Sequence, residues 1–568
     1  MHVLKKASLL RYFMPLIGFL GALVIAAYFY NPKPIAKGNK QYGGTLKMSS
    51  KNERLLLFPL ANNTLDHQRL QGLIFEPLLK PVENERGWRY CLASKIKLND
   101  HHEKVEIQLR KNIHFADDPC FRFHSSELTS EDVAFSLSLA CSQQANVQQD
   151  LMLPEVIVGG HSFYKQGLDP LKKTVQGIKI KDDYTLEITL TRPYNHFLNL
   201  LSAPNLAIIS KQAAAYYGDQ ITEHPVGTGP FQLRTKKSKR YTFERNPSYW
   251  RYDKYGNQLP YLSQIELTCG VPGQLAHQYF LKNKIDLLFD LPIDELQDAF
   301  GTLNDAKSGK NPLHEVYIKN AAKTHFVQFN CAKPPFNNVN VRKAFALAID
   351  AQVICNDVLK GEGRELNQQF IPGQKHYKNV LIQADSRPKS ARIAAAKLMI
   401  AKAGYNRANP MPTVVFYVGA NKKTLAYKWS SAAAKMISEA LGVLISLKEA
   451  GPARSTNAQQ GFLWRTGWVG DYPGAESYLR LFYSKTQKPC FFKNEVVDVQ
   501  YLQSVLAPTP SQMKAAQMRC ELAILAQQAL IPVYTEDFIV LNQLRLRGFE
   551  LDASGMLDFG KLYMKELK

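Results

Sequence analysis

Two hydrophobic periodicities alternate along the chain and constrain its fold more than any other feature. Residues 104–110 and 184–191 place apolar side chains at every second position, which predicts strands with one solvated face. The apolar residues of 341–349 follow a spacing of three and four, which predicts one buried stripe on a helix with Arg342 and Lys343 in water. A chain that mixes both periods in this way is typical of an α/β protein.

The segment 413–470 predicts a βαβ-type unit. The pattern indicates a buried strand at 414–418, a helix over about 424–441 that ends at Gly442, and strands at 443–447 and 462–468. In open α/β sheets, ligands bind beyond the carboxyl ends of the strands. We therefore expect a binding site just after Trp468.

Four side chains near this strand end have the chemistry of a peptide site. Arg465, Trp468, Asp471 and Tyr472 supply a cation, an indole, a carboxylate and a phenol. A peptide's ammonium group binds a carboxylate, its carboxylate binds a guanidinium fork, and its side chains pack on aromatic walls. The same residues also fit a simpler interpretation, with Asp471 capping a turn and Arg465 on a solvated strand edge.

The amino-terminal segment predicts export. No charged residue occurs between Tyr12 and Pro32, and the segment follows Lys5, Lys6 and Arg11. Its apolar core is intermediate between a cleavable signal peptide and a spanning helix, so both a cleaved signal and a membrane anchor through residues 12–30 stay open. No cysteine precedes Cys91 that could carry a lipid anchor.

The chain is strongly basic, with a formal net charge of +22. Such a charge attracts nucleic acids, anionic membranes or acidic ligands. The Lys and Arg residues are spread along the chain, however, without any pattern of a nucleic-acid-binding motif. We therefore interpret the charge as a solvated basic surface and expect no nucleic-acid partner.

Sequence motifs of catalysis and metal binding are absent. The eight cysteines contain no Cys-x-x-Cys pair, so we expect mostly buried free thiols and neither a zinc site nor a cofactor. The chain has no His-Glu-x-x-His and no Gly-x-Ser-x-Gly motif. His101 and His102 precede Glu103 in a polar turn, which favours a solvated turn. The sequence therefore does not predict an enzyme.

Motifs from residue 42 onwards resemble, in order, those of the bacterial ABC-transporter solute-binding proteins of family 5, the oligopeptide, dipeptide and nickel binders. The motifs that carry the resemblance are Gly43-Gly44-Thr45-Leu46, Ile74-Phe75-Glu76-Pro77-Leu78-Leu79, Leu128-Thr129-Ser130-Glu131-Asp132-Val133, Gly227-Thr228-Gly229-Pro230-Phe231, Asn246-Pro247-Ser248-Tyr249-Trp250, Val341-Arg342-Lys343-Ala344 and Gly467-Trp468-Val469-Gly470-Asp471-Tyr472-Pro473.

The resemblance implies a two-lobed periplasmic-binding-protein fold with an extra subdomain in the first lobe. We expect a signal or anchor and linker at 1–40 and an inserted subdomain at 83–209. The second lobe is expected at 313–535, and the first lobe is expected to combine 41–82, 210–312 and 536–568. Two chain crossings then join the lobes, which close around a ligand by hinge motion.

The resemblance also implies a function. A periplasmic, monomeric protein of this kind captures an oligopeptide or dipeptide and delivers it to an ABC-transporter permease in the inner membrane. By resemblance, Asp471 anchors the ligand's amino group and Arg465 serves its carboxylate. Relatives continue after Pro473 with Asp-Pro and an Asn, whereas this chain has Gly474-Ala475-Glu476-Ser477-Tyr478, which leaves the ligand's length open. The alternatives are nickel, haem or another solute, or a basic membrane-tethered protein without a transport role.

Overall fold

A computed structural model describes residues 35–565, apart from 61–63, 83–86, 100, 146–152, 290–313, 361–362, 367–368, 373–376, 383–384, 451–460, 471, 473, 486–490, 508 and 553. The predicted signal or anchor lies outside the described residues, as does Asp471. Among the described residues, no helix combines the length and apolar character needed to cross a membrane.

The strands lie throughout the described chain. In chain order they are β1 (Ile35–Ala36), β2 (Lys40–Gln41), β3 (Thr45–Ser49), β4 (Leu79–Pro81), β5 (Trp88–Tyr90), β6 (Ala93–Leu98), β7 (Lys104–Leu109), β8 (Ile178–Asp182), β9 (Thr185–Thr189), β10 (Phe231–Lys237), β11 (Arg240–Arg245), β12 (Gln264–Thr268), β13 (Leu287–Phe289), β14 (His314–Phe329), β15 (Arg364–Glu365), β16 (Val414–Tyr417), β17 (Ile445–Lys448), β18 (Leu463–Val469), β19 (Leu530–Gln543), β20 (Leu546–Arg547) and β21 (Tyr563–Met564).

The α-helices are interspersed with these strands. They are α1 (Leu65–Gln71), α2 (Ser130–Ala140), α3 (Leu153–Val156), α4 (Gly160–Lys165), α5 (Phe197–Leu200), α6 (Lys211–Tyr217), α7 (Gly273–Leu281), α8 (Val339–Ala348), α9 (Ala351–Val353), α10 (Lys389–Lys402), α11 (Leu425–Leu441), α12 (Glu476–Leu479), α13 (Glu495–Leu506) and α14 (Pro510–Ala526).

One mixed sheet runs through the described part of the molecule. Its strand order is β10-β11-β12-β3-β13-β19-β14-β18-β16-β17, and β15 also pairs with β19. Strands β16, β17 and β18 are parallel to one another, whereas β14 is antiparallel to both β18 and β19. The α/β class predicted from the sequence is confirmed.

The long strands β14 and β19 connect the two halves of this sheet. Strand β19 pairs with β13 at one end, and β14 pairs with β18 along its second half. The predicted lobe boundary between residues 535 and 536 falls inside β19. The lobe boundaries near residues 313 and 535, and the two crossings between the lobes, stay predictions.

A separate antiparallel sheet lies inside the segment predicted as the inserted subdomain. Its strand order is β6-β7-β9-β8. Both strands predicted from alternating hydrophobicity, at 104–110 and 184–191, are present as β7 and β9, and Ile107 faces Leu186 across them. Their apolar side chains are buried, which explains the alternating pattern.

The predicted βαβ-type unit is also confirmed, with its strands at β16, β17 and β18 and its helix at α11. Thr424 caps the start of α11 by accepting a hydrogen bond from the Tyr427 amide, and Gly442 ends the helix at a positive φ of 70°. Trp429 and Ile437 are buried on the inner face of α11 and contribute to a core that belongs to this half of the sheet.

The predicted helix at 341–349 is present as α8, but the placement of Arg342 in water is wrong. Arg342 is buried, and its guanidinium donates hydrogen bonds to the carbonyls of Phe336, Gln527 and Gln528 at 2.6–3.1 Å. The last two carbonyls lie at the end of α14, where helix carbonyls lack partners. The Arg342 guanidinium therefore donates its hydrogen bonds to these carbonyls and not to water.

Part of the segment expected to be a linker packs on the folded body. Ala36 in β1 is buried in a small cluster with Tyr249 and Tyr261. The Lys37 amide donates to Asn257 Oδ1 at 2.9 Å, and Asn257 Nδ2 donates back to the Lys37 carbonyl at 3.0 Å. The described chain thus begins as an integral part of the fold.

Candidate functional site

The predicted site lies where β18 ends, beside the strands that cross between the two halves of the sheet. Arg465 and Trp468 belong to β18, and Tyr472 follows it. The residue opposite Arg465 on β14 is Val327, and Thr324 is opposite Trp468. Three of the four predicted residues are therefore described, and Asp471 lies outside the described residues. Arg465 and Trp468 are three positions apart on β18 and so point to opposite faces of the sheet.

Arg465 is partly buried with one side of its guanidinium already bound. Its Nε donates a hydrogen bond of 2.8 Å to the Val418 carbonyl, at the end of the neighbouring strand β16. Its Nη groups form no hydrogen bond with any described residue. Burial lowers the pKa of Arg465, although Tyr534 and Glu536 act in the opposite direction. The guanidinium is thus fixed in direction but retains free donors.

A charged cluster on the crossing strands lies close to Arg465 and was not predicted from the sequence. Glu536 of β19 forms an ion pair with Lys323 of β14, and His325 Nε2 lies 3.2 Å from Glu536 Oε2. The His325 ring stacks on Tyr534 with 4.3 Å between the ring centroids. The partners are more than 200 residues apart in sequence, so no local motif could have indicated the cluster.

The electrostatics of this cluster follow from its burial. Burial disfavours the charged form of each group and lowers the pKa of His325, because Glu536 compensates only in part. Burial also opposes ionisation of Glu536, but the charges of Lys323 and His325 outweigh it and keep the pKa of Glu536 well below its usual range. Lys323 and His325 thus both favour the ionised carboxylate of Glu536.

Gly467 leaves space beside the His325 ring. It faces His325 across the β14–β18 pair, and a Cβ added at Gly467 would lie 3.2 Å from two atoms of the His325 ring. A side chain at this position would therefore press on the imidazole. The glycine therefore leaves room for the His325 ring on the face of β18 that carries Arg465.

The chain after β18 folds back onto the strand. Trp468 Nε1 donates to the Ser477 carbonyl at 3.1 Å, and the Gly470 amide donates to Tyr478 Oη at 3.3 Å. Ser477 Oγ in turn donates to the Gly474 carbonyl at 2.9 Å. These bonds hold the half-buried Trp468 indole in one orientation beside the predicted position of the ligand.

Tyr472 is buried, and its hydroxyl binds a protein carboxylate. Glu476 accepts hydrogen bonds from the hydroxyls of Tyr472, Tyr194 and Tyr501. Burial opposes ionisation of Glu476, but the nearby Arg480 and His196 lower its pKa overall. Tyr194 lies in the predicted inserted subdomain and Tyr501 in α13, so this network joins distant parts of the chain.

In the sequence, Glu476 stands out only because residues 474–478 depart from the pattern of the family that the chain resembles. The stretch Gly474-Ala475-Glu476 replaces the Asp-Pro of relatives, and the sequence alone gave no reason for an acid there. The structure gives one, because a single carboxylate satisfies three buried hydroxyl groups. The conformation of the chain beyond β18 therefore depends on Glu476.

Three of the motifs that carry the resemblance meet at a second buried carboxylate, Glu76. It accepts hydrogen bonds from Trp250 Nε1 at 2.7 Å, Tyr249 Oη at 3.0 Å and Lys80 Nζ at 3.0 Å. Burial raises the pKa of Glu76, but the charges of Lys80 and Arg251 lower it further than burial raises it. Glu76 thereby ties the motif at 74–79 to the motif at 246–250.

The glycines of the third motif allow the backbone to approach closely. The Gly229 amide donates to the Ile74 carbonyl at 2.7 Å. A Cβ at Gly227 would lie 2.0 Å from the Ile74 carbonyl oxygen, and one at Gly229 would lie 2.6 Å from it. Only glycine fits at such positions. These motifs therefore hold one another in place in the first half of the molecule.

The described cysteines are free thiols, six of them buried, as predicted, while Cys490 lies outside the described residues. Within the part of the chain that the structure describes, no cluster of three His, Cys, Asp or Glu side chains is arranged to hold a metal ion.

Comparison with known proteins gives consistent matches. The family described as "Bacterial extracellular solute-binding proteins, family 5 Middle" matches residues 88–489. The probable deoxycholate-binding periplasmic protein YgiS of Escherichia coli is 27% identical over 400 residues, which cover 69% of this chain and 71% of YgiS. The periplasmic oligopeptide-binding protein OppA of Escherichia coli is 26% identical over 442 residues, which cover 75% of this chain and 76% of OppA.

The fold matches solved structures over almost the whole chain. The crystal structure of Haemophilus influenzae OppA in complex with RPPGFSPFR superposes with a TM-score of 0.75 at 21% sequence identity, covering 92% of this chain and 98% of that chain. This likeness confirms the expected periplasmic-binding-protein fold. Since the family match covers more than half of the sequence, the chain belongs to the bacterial extracellular solute-binding proteins, family 5.

Proposed function

We propose that this protein binds peptides, oligopeptides or dipeptides, at the end of β18 between its two lobes. The observation that carries the proposal is the pairing of β18 with β14, one of the two strands that cross between the halves of the sheet. A ligand at the carboxyl end of β18 contacts the hinge and both lobes at once. Closure then becomes dependent on the ligand.

The proposed roles of the four residues follow from their surroundings. The free Nη donors of Arg465 bind the ligand's carboxylate, and the oriented Trp468 indole forms an apolar wall. Asp471 binds the ligand's ammonium group, in keeping with the resemblance. Tyr472 supports this stretch through Glu476, since its hydroxyl already has a buried acceptor.

We further propose that the protein works in the periplasm and delivers its ligand to an ABC-transporter permease. The family match and the periplasmic relatives support this location. The uncharged segment at 12–30 serves as a signal peptide or as a membrane anchor. The lobe boundaries expected from the sequence, and a monomeric state, belong to the same proposal.

Calorimetric titration of the full-length protein with di- to hexapeptides tests the peptide proposal. Deoxycholate, nickel and haem serve as comparison ligands, because the relative YgiS is named for deoxycholate binding. We expect saturable binding of at least one peptide class with little dependence on salt. Saturable binding of a comparison ligand together with no binding of any peptide would show that the fold serves another solute.

A further inference from the structure

One segment in the second half of the protein carries basic residues without any acidic residue to offset them. Residues 386–438 contain no Asp and no Glu. The same residues contain ten basic side chains, which are Arg387, Lys389, Arg392, Lys397, Lys402, Arg407, Lys422, Lys423, Lys428 and Lys435. In a chain of net charge +22, this segment is a large uncompensated source of positive potential.

Helix α10 presents part of this charge to solvent. Its inner side packs against α8 and α11, and Ala396 on that side is fully buried. Arg392 is also turned towards the body, where its guanidinium binds Asp350 at 2.7 Å. The opposite side carries Lys397, Leu398 and Lys402, all of them exposed.

The outer side of α10 combines exposed cations with exposed apolar surface. Leu398 is 57% exposed, and its neighbours on the same side are alanines at 391, 394 and 401, which are exposed as well. Lys397 and Lys402 flank this strip, and Arg407 follows in the exposed turn after the helix. We call Lys397, Leu398, Lys402 and Arg407 the basic helix face.

The cations of the basic helix face are not neutralised by the protein. Neither Lys397, Lys402 nor Arg407 forms an ion pair with any residue that the structure describes. The nearest acids in sequence are already engaged, Asp385 by Arg387 at 2.6 Å and Glu439 by Lys435 at 3.8 Å. The face is thus open to an external anionic partner.

We propose that the basic helix face lies on the anionic headgroup surface of a phospholipid membrane. Flexible lysine and arginine side chains reach lipid phosphates while their methylene stems cover apolar surface. Leu398 and the alanines beside it fit the boundary between headgroups and acyl chains, as in helices that lie in the interface plane. A nucleic acid would satisfy the cations but would leave the exposed leucine without an apolar layer.

The contact is an electrostatic one, separate from whatever the cleft binds. Its range is limited to about 8 Å at physiological salt, so the face acts only when the protein is already near the membrane. This contact would hold the second half of the protein at the bilayer and raise the local concentration of the cleft near a transporter. It also gives the positive charge of this segment a function.

Charge reversal on full-length protein tests the proposal. The triple variant K397E/K402E/R407E is compared with K173E/K179E/K237E, which makes the same charge change at exposed lysines elsewhere. Binding is measured by flotation with phosphatidylcholine vesicles that do or do not contain one-third phosphatidylglycerol. All the proteins compared have the same amino-terminal sequence, so this segment contributes equally to each.

We expect the first triple variant to lose about tenfold or more of its preference for the anionic vesicles at low salt, whereas the control variant loses much less. Molar salt should remove the preference of the wild-type protein. Equal losses in both triple variants would mean that only net charge matters, and the proposal would be wrong.

A probe at Leu398 gives an independent readout that does not need charge reversal. Leu398→Cys labelled with an environment-sensitive fluorophore should shift to the blue on anionic vesicles, while the same label at Lys173→Cys should not. Polyglutamate serves as an acidic polymer without an apolar layer. A response at position 398 to polyglutamate but not to vesicles would assign the face to an acidic protein partner and overturn the membrane proposal, as would the absence of any response.

Discussion

Substitution of Asp471 should have the largest effect on peptide affinity, because we propose that its carboxylate binds the charged ammonium group of the peptide. Asp471→Asn keeps the side-chain size and removes the charge that would pair with the ligand's ammonium group. Removing one partner of a buried, hydrogen-bonded charge pair costs about 2–5 kcal/mol, roughly thirty- to several-thousand-fold in affinity. Calorimetry with one peptide and its N-acetylated form, on both proteins, measures the coupling.

The exposed Asp183→Asn is the matched control and should leave affinity unchanged. The acetylated peptide should bind the wild-type protein as weakly as the free peptide binds Asp471→Asn. If acetylation leaves wild-type affinity intact, Asp471 does not anchor the amine, and the turn-capping interpretation applies.

The hydrogen bond from Tyr472 to Glu476 predicts that Tyr472 stabilises the fold and does not contact the ligand. Tyr472→Phe removes one hydrogen bond to Glu476 and should destabilise the fold by about 1 kcal/mol. Glu476→Gln also removes the counter-charge of Arg480 and should cost about 3 kcal/mol or more. Urea unfolding measures both values.

Peptide affinity decides the role of Tyr472. Because the hydroxyl is buried against Glu476, we expect Tyr472→Phe to bind peptide within about threefold of wild type, less than the effect of one hydrogen bond to a ligand. A larger loss at unchanged stability would make the hydroxyl a direct ligand contact.

At the level of elements, local patterns predicted most of the strands and helices near the site. The period-two strands β7 and β9 and the βαβ-type unit were predictable because each buries one face or stripe of apolar side chains. Arg342 was mispredicted because two of its three acceptor carbonyls, those of Gln527 and Gln528, lie at the end of α14, far along the chain. Helical periodicity carries no information about such a partner.

The same limit applies to the site itself. The sequence indicated Arg465 and Trp468 because both lie on one predicted strand. The Glu536 and Glu476 networks were not predictable, since their partners come from β14, α13 and the segment around Tyr194. Contacts between distant segments depend on the strand order of the sheet, which a local pattern does not determine.

The crossing strands β14 and β19 should make stability dependent on pH through His325. Burial lowers the pKa of His325 below its ordinary value of 6.5, so the unfolded chain binds the proton more readily than the folded protein. The contribution of His325 to the free energy of unfolding is therefore fully present above pH 6.5. It declines as pH falls towards the lowered pKa, by at most about 1.4 kcal/mol per pH unit.

His325→Gln should flatten this decline, and urea unfolding between about pH 7 and pH 5 measures it. The exposed His101→Gln serves as the control and should retain the wild-type slope. The prediction is wrong if His325→Gln and wild type lose stability in parallel over this interval.

At the scale of the whole molecule, ligand binding should close the lobes. The half-buried Trp468 indole lies beside the crossing strands, so a ligand at the end of β18 changes its environment while it bridges the lobes. A ligand that binds only the folded protein at 100 times its dissociation constant stabilises it by about 2.7 kcal/mol. We therefore expect a change in tryptophan fluorescence, a higher melting temperature and a smaller radius of gyration on addition of the same peptide.

Small-angle scattering supplies the radius, and Trp468→Phe identifies the fluorescence signal without removing the thermal shift. A peptide that raises the melting temperature but leaves the radius unchanged would bind without closure, and the crossing strands would then not act as a hinge.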